Sequence, residues 1–332
     1  AQLREVLTDA FGPDFENKLR DFEFQPFAAA SIGQVHRLTT KQGRSAVLKV
    51  QYPGVRESID SDVDNLATLL RVSGLLPKHI EIAPLLDEVK AQLREEADYE
   101  QEARYLNAFV RALGDDERFL LPRVIPSLSS SRVLGMTYVP GVPIEDVIHE
   151  NQEERNRVMS LLFELLLIEM FELRLVQTDP NFANYRYDSE SGQVLLLDFG
   201  ASRRFKAAFT GAYLDLLKAV VADNQDAMAE AANRIGYKLG PEKTPYRDTI
   251  LQLATVVLAP LTRDEPYDFG NSELPKQAVA MAGDIQRYKE FWEAPPVDVA
   301  YIHRKIAGLF MLATRLKAQV NVNELLMPWL VD

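Results

Sequence analysis

The feature that most constrains this chain is an ordered pair of segments near its middle. Gln177-Thr178-Asp179-Pro180-Asn181-Phe182-Ala183-Asn184-Tyr185 carries an Asp-x4-Asn spacing, and Val194-Leu195-Leu196-Leu197-Asp198-Phe199-Gly200 follows it. The apolar run of the second segment reads as a buried strand that delivers Asp198 at its end, and Gly200 permits a sharp turn there. The first segment offers a carboxylate (Asp179) and an amide oxygen (Asn184). Such oxygen donors suit a hard cation, so Asn184 and Asp198 are the candidate Mg2+ ligands. Either segment alone arises by chance; both in this order are a strong signal.

Two further elements precede them. Ala46-Val47-Leu48-Lys49-Val50 reads as a strand with a lysine in its middle, a point charge on a stiff element that suits nucleotide phosphates. A charged helical stretch, Arg94-Glu95-Glu96-Ala97-Asp98-Tyr99-Glu100-Gln101-Glu102, supplies glutamates that could hold such a lysine. The Asp-x4-Asn spacing matches a kinase catalytic loop, in which Asp179 orients or deprotonates a nucleophile. Met136-Thr137-Tyr138-Val139-Pro140-Gly141 resembles a kinase hinge, with Met136 behind the base pocket and the backbone of Thr137, Tyr138 and Val139 on the adenine edge.

The pattern along the chain predicts an α+β protein with a small mixed lobe (1–139) and a larger, mostly helical lobe (140–332). Helical periodicity covers residues 1–20, 56–72, a long helix at 85–113, and 153–173. Strands are expected at 22–24, 34–39, 46–50, around Val124, at 132–139 and at 194–197. Lys41-Gln42-Gly43-Arg44 reads as a turn.

Composition narrows the function. With 37 Lys plus Arg against 49 Asp plus Glu, the net charge of −12 lacks the basic footprint of a nucleic-acid binder. The absence of cysteine excludes disulfides, a Cys-ligated zinc and a thiol nucleophile, and fits a reducing compartment. His36, His79, His149 and His303 form no ligand pair at helical spacing. The longest apolar stretch, Leu161 to Phe171, is too short for a bilayer and carries two glutamates. The chain starts at Ala1 rather than Met, which predicts that a preceding piece has been removed.

Several features depart from ordinary protein kinases. No Gly-x-Gly-x-x-Gly precedes Lys49; Phe27-Ala28-Ala29-Ala30-Ser31-Ile32-Gly33-Gln34-Val35-His36 stands in its place. Alanine resists the positive φ that glycine accepts, so this loop is expected to start a helical turn rather than fold over phosphates. Thr178 replaces the usual arginine beside the catalytic aspartate, and no Ala-Pro-Glu follows Gly200.

Together with Leu48–Val55, Glu265–Gly270 and His303–Phe310, these motifs resemble the UbiB (aarF-domain) family of atypical kinase-like ATPases, linked to ubiquinone biosynthesis. The resemblance covers nearly the whole chain. It implies a kinase-like bilobal fold and an ATP- and Mg2+-dependent ATPase, or a kinase of lipids or other small molecules, with phosphotransfer to proteins in trans not expected. It implies that Lys49 pairs with Glu96, that Asp179 is catalytic, that Asn184 and Asp198 bind Mg2+, and that Ala28, Ala29, Ala30 and Ser31 form the nucleotide loop. The family's Lys-x-Gly-Gln signature is not found; Lys41–Arg44 is a decoy, and Glu102 would be the partner of that missing lysine. The implied ligands are ATP and ADP, with lipids or quinone precursors, other biosynthetic proteins and a membrane surface as further partners. The implied location is the bacterial cytoplasm or mitochondrial matrix, with peripheral inner-membrane contact left open. A nucleotide-responsive scaffold is the alternative.

Overall fold

The computed structural model describes residues 2–17, 19–72, 83–240, 244–285 and 296–331. The chain divides into two compact units: residues 1–141 together with 188–201, and residues 142–187 together with 202–332. The segment that ends in Asp198 thus returns to the first unit, which a single boundary along the chain does not describe.

In the first unit, helix α1 (Gln2–Phe11) precedes three strands: β1 (Ala28–Ala30), β2 (Gly33–Thr39) and β3 (Ser45–Gln51). Helices α2 (Val55–Val72), α3 (Ala83–Glu96) and α4 (Tyr99–Leu113) follow, then β4 (Phe119–Leu120) and β5 (Val133–Thr137). The sheet runs β1-β2-β3-β5, antiparallel throughout. Its register makes two rows on one face, Ala28–Val35–Lys49–Leu134 and Arg37–Val47–Met136, because residues two apart on a strand point the same way. The opposite face is apolar: Leu38, Ala46, Leu48 and Val50 pack with Val6, Leu7 and Phe11 of α1. Each such large side chain contributes about 1.5–3 kcal/mol when fully buried. The returning strand Gln193–Leu196 pairs in parallel with β4.

Several sequence expectations change here. Residues 22–24 form no strand; Glu23 donates its N–H to Arg37 O at 2.9 Å, and Arg20 bridges Thr39. Val124 makes an isolated bridge to Met136 rather than a strand. The single helix expected over 85–113 is two, separated at Ala97-Asp98. Asp98 caps α4 by accepting the Gln101 N–H at 2.8 Å, which stops one helix and starts another.

The second unit begins with β6 (Val142–Pro143) and α5 (Gln152–Leu167). Asn151 caps α5, and Val158, Met159, Leu161, Leu162 and Leu165 are buried along it. The helix expected to continue to 173 changes to π-helical geometry at Ile168–Leu173 and stops at Arg174, whose φ is 49°. Strands β7 (Leu175–Gln177) and β8 (Tyr185–Asp188) flank the Asp179–Asn184 loop. β8 pairs with β6, and β7 pairs with Ser202–Arg204. Helices α6 (Ala207–Val221), α7 (Gln225–Ile235), α8 (Pro245–Val257), α9 (Leu274–Ile285), α10 (Val297–Arg315) and α11 (Val322–Leu330) complete the unit.

Candidate functional site

The first unit holds a buried charge centre on Lys49. Mid-strand placement fixes its backbone between Val35 of β2 and Leu134 of β5. Its Nζ lies 2.9 Å from both carboxylate oxygens of Glu102, 3.2 Å from Asp198 Oδ2, and 5.3 Å from the centre of the Tyr99 ring. Glu102 sits one turn into α4, and its side chain is 2% exposed. Lys49 therefore pairs with Glu102 and not with Glu96, correcting the sequence expectation. The reason is the helix break. Glu96 is the last residue of α3, where it accepts a long 3.5 Å bond from Gln92; the restart at Asp98 turns the next face, with Glu102, towards β3. The signal was present: Asp98-x-x-Gln101 has the spacing of a helix N-terminus. The same contact gives Glu102 a partner within this chain, in place of the lysine of the missing signature.

Electrostatics follow the geometry. Burial pushes the Glu102 carboxyl up to about 7, against the pull of Lys49. Burial works against the charge on Asp198 too, but Lys49 and the Gly200 N–H hold its carboxyl below the ordinary value. For Lys49, burial is outweighed by Asp198 and Glu102, which keep the ammonium charged well above its usual range. With Glu102 ionised, one ammonium between two carboxylates leaves the centre one negative charge in excess; as Glu102 takes up its proton below about pH 7 that excess is lost.

Asp198 Oδ1 accepts the Gly200 N–H at 2.9 Å, and its side chain remains 41% exposed. Gly200 stands in a turn, as the sequence predicts, though without positive φ; a Cβ there would approach Asp198 Oδ1 tightly at 3.3 Å and make ordinary contact with Glu102 Oε2 at 3.4 Å. Phe199 is buried with its ring centre 4.8 Å from that of Phe109 on α4, which anchors the turn.

The alanine segment is a strand, not the expected helical turn. Ala28, Ala29 and Ala30 pair with Val35, Gln34 and Gly33, and none has positive φ. Ser31 lies exposed in the turn that follows. In the hinge segment Met136 is buried beside Val47. The Thr137 N–H donates to Arg123 O at 2.9 Å and the Tyr138 N–H to Ser45 O at 3.1 Å, so both are taken up by the fold. Val139 is half-buried, and its N–H has no partner among the described hydrogen bonds. The Arg37 guanidinium lies 3.7 Å from the Phe27 ring centre and 4.7 Å from that of Tyr138, and donates to the Tyr138 hydroxyl at 2.9 Å.

In the second unit the Asp-x4-Asn loop closes on itself. Asn184 Nδ2 donates to Asp179 Oδ2 at 2.8 Å, and Asp179 Oδ1 accepts the Asn181 N–H at 3.3 Å. Asn181 in turn accepts the Ala183 N–H, and Phe182–Asn184 forms a 3-10 turn. Asn184 is buried and Asp179 half-buried.

Sequence reasoning missed a second buried centre in this unit. Lys305 of α10 donates to the Tyr185 hydroxyl at 2.6 Å and lies 3.2 Å from Glu169 Oε2. Against the cost of burial, Glu169 and Tyr185 hold the Lys305 ammonium above its ordinary value. The motif His303–Phe310 contains this lysine, but no local pattern tells that it is buried.

The profile of the ABC1 atypical kinase-like domain matches residues 1–232. The atypical kinase COQ8B, mitochondrial, of Rattus norvegicus is 37% identical over 324 residues, which cover 98% of this chain and 61% of that protein. The atypical kinase coq-8, mitochondrial, of Caenorhabditis elegans is 35% identical over 328 residues, 98% of this chain and 43% of its own. For the atypical kinase COQ8, mitochondrial, of Saccharomyces cerevisiae the figures are 34% over 327 residues, 98% and 65%. This chain thus spans between about two fifths and two thirds of these relatives. The structure of Rv3197 with erythromycin from Mycobacterium tuberculosis aligns over 99% of this chain and 83% of that one, with a TM-score of 0.76 and 24% identity; it shares the fold. A profile match over more than half the residues, and relatives aligned from end to end of the chain, establish that it belongs to the ABC1 atypical kinase-like family.

Proposed function

We propose that this protein binds ATP with Mg2+ and hydrolyses it, or transfers its γ-phosphoryl group to a small lipid or phenolic acceptor, in support of ubiquinone biosynthesis. The observation that carries the reading is the Lys49 ammonium held between Glu102 and Asp198, with Asp198 still open to solvent.

The donor set fits Mg2+. Asp198 is an exposed, ionised oxygen donor, and Gly200 leaves space beside it. Among the described residues no group of three or more His, Cys, Asp or Glu could hold a metal by itself. An ion that keeps only one or two protein ligands and completes its shell with phosphate oxygens and water suits this arrangement. We assign Asp198 as its protein donor in the first unit. When bound, Mg2+ neutralises charge on the phosphates.

The chain's own residues then divide the work. Lys49, aimed by Glu102, meets α/β-phosphate charge. Val139 offers its backbone N–H to the base, since the N–H groups of Thr137 and Tyr138 are engaged. Ala28, Ala29, Ala30 and Ser31 form a hairpin edge of the sheet, with Ala28 and Ala30 on its Lys49 face; without positive φ it lies flat rather than wrapping phosphates. Asp179 accepts the proton of the attacking water or hydroxyl as that oxygen bonds to the γ-phosphorus and ADP departs. The Asn184 amide holds the Asp179 carboxylate in place. Phosphotransfer to proteins is disfavoured: Ser202–Arg204 pairs with β7 and α6 starts at Ala207, which leaves little free segment to seat a peptide. No helix among the described residues is long and apolar enough to cross a membrane; a membrane surface is a further partner we propose, in keeping with a lipid acceptor.

Phosphate release by purified protein, with and without a phenolic or lipid additive, tests the proposal against Asp198→Asn. Turnover that needs Mg2+ and disappears in the variant supports it. Nucleotide binding without turnover would favour a scaffold, and labelling of a peptide library that depends on Asp179 would reverse the substrate assignment.

A further inference from the structure

We propose that Lys305 is a positioning residue for Asp179, acting through both ends of the Asp179–Asn184 loop; the inference rests on the role given to Asp179 above. Lys305 lies near the middle of α10, and its side chain is 2% exposed. From there its ammonium reaches two elements. One arm is the 2.6 Å bond to the hydroxyl of Tyr185, the residue that follows Asn184. The other is the 3.2 Å ion pair with Glu169, whose side chain is 1% exposed. Glu169 Oε1 in turn accepts the backbone N–H of Gln177 at 3.4 Å, two residues before Asp179. One buried cation therefore ties down the chain on either side of the loop.

Three further observations agree. Glu169 stands in the π-helical turn Ile168–Leu173, an irregularity that re-aims a side chain relative to the preceding α-helix. A Cβ on Gly308, close along α10 from Lys305, would meet Pro180 Cβ at 2.7 Å, so the helix backbone packs directly on the loop. The Lys305 ammonium also lies 5.3 Å from the Tyr185 ring centre.

Stability alone does not call for this arrangement. Desolvating two charges offsets much of their attraction, and an apolar side chain of similar volume fills such a place as well. What the ion pair adds is direction. The ammonium's hydrogen bond holds Tyr185 and its ion pair holds Glu169 at defined points, and these fix the loop backbone from which Asp179 and Asn184 project.

The test uses four forms beside the wild type: Tyr185→Phe, Lys305→Met, Asp179→Asn and the double variant Asp179→Asn/Tyr185→Phe. Phosphate release is expressed per ADP-binding site counted by equilibrium binding, which removes any misfolded fraction. Amide hydrogen exchange of the 177–187 segment is followed in parallel. Tyr185→Phe is expected to lower turnover about 10-fold and Lys305→Met about 100-fold, the scale set by a small misplacement of a reacting group. ADP affinity stays within about 2-fold, and the 177–187 amides exchange faster in both. In the Asp179→Asn background, Tyr185→Phe should cost nothing more, because the group it positions is gone; a merely structural defect would multiply the two losses. Unchanged turnover and exchange in Tyr185→Phe, or losses that multiply, overturn the inference. If Lys305→Met fails to fold, Tyr185→Phe decides, since it removes one oxygen. A wild type without turnover whose loop still loosens in Tyr185→Phe would sink the catalytic reading and leave the positioning of the loop intact.

Discussion

Two buried lysines organise the two units, and they differ in what surrounds them. Lys49 faces two carboxylates, one sealed (Glu102) and one 41% exposed (Asp198), so with Glu102 ionised its centre carries a surplus negative charge that opens on solvent. Lys305 faces one carboxylate and a phenol, all within the core, and its centre is neutral and closed. The contrast separates two uses of the same chemistry. A centre with surplus charge and an open donor can exchange its partners for a ligand; a neutral, closed one can only hold its neighbours still.

Lys49→Met should have the largest effect. It is expected to lower phosphate release by about 100–1000-fold, the scale for losing one charge stabiliser, and to abolish the thermal shift given by ADP with Mg2+. Lys305→Met should keep that shift even as turnover falls. Loss of the nucleotide shift in both variants would erase the distinction between the two centres.

A second test uses pH. Glu102 must be ionised to hold Lys49, and burial places its carboxyl at about 7. In the free enzyme kcat/KM should rise through an acid limb near pH 7, and Glu102→Gln should be low and flat across it. The sign for stability is opposite. An acid whose folded pKa lies above its unfolded 4.5 binds its proton more tightly when folded, so this group's contribution falls as pH rises from about 4.5 to about 7 and is level above. Asp198, held below 3.8, acts the other way: its contribution is complete above that value and is lost as pH falls through the lower folded value. A kcat/KM profile without a limb near neutrality would show that Glu102 does not govern the lysine.

Smaller effects bear on how the first centre is built. Asp98→Ala removes the cap of α4 and should cost about 1 kcal/mol in denaturant unfolding, together with a partial loss of turnover as Glu102 shifts. Glu96→Gln should change stability by less than about 0.5 kcal/mol and leave ADP affinity unaltered. A large loss in Glu96→Gln beside a silent Glu102→Gln would restore the pairing expected from sequence.

The sequence by itself singled out Lys49 and Asp198 of the open centre, and Asp179 and Asn184 of the loop in the second unit, because each sits in a short contiguous motif readable from residue type and local element. It also determined most strands and helices, because alternation and helical period are local. Three matters were left to tertiary structure. Whether Glu96 or Glu102 meets Lys49 depends on the restart at Asp98 and on which face of α4 lies against β3, so charge pattern alone could not choose. The alanine segment became a strand because β2 offers it hydrogen-bond partners, and pairing with a neighbour outweighs alanine's helical preference. Lys305 looks like any helix lysine until α10 packs on the loop 120 positions earlier at Tyr185; burial and partners over that separation belong to the fold, not to any window of the chain.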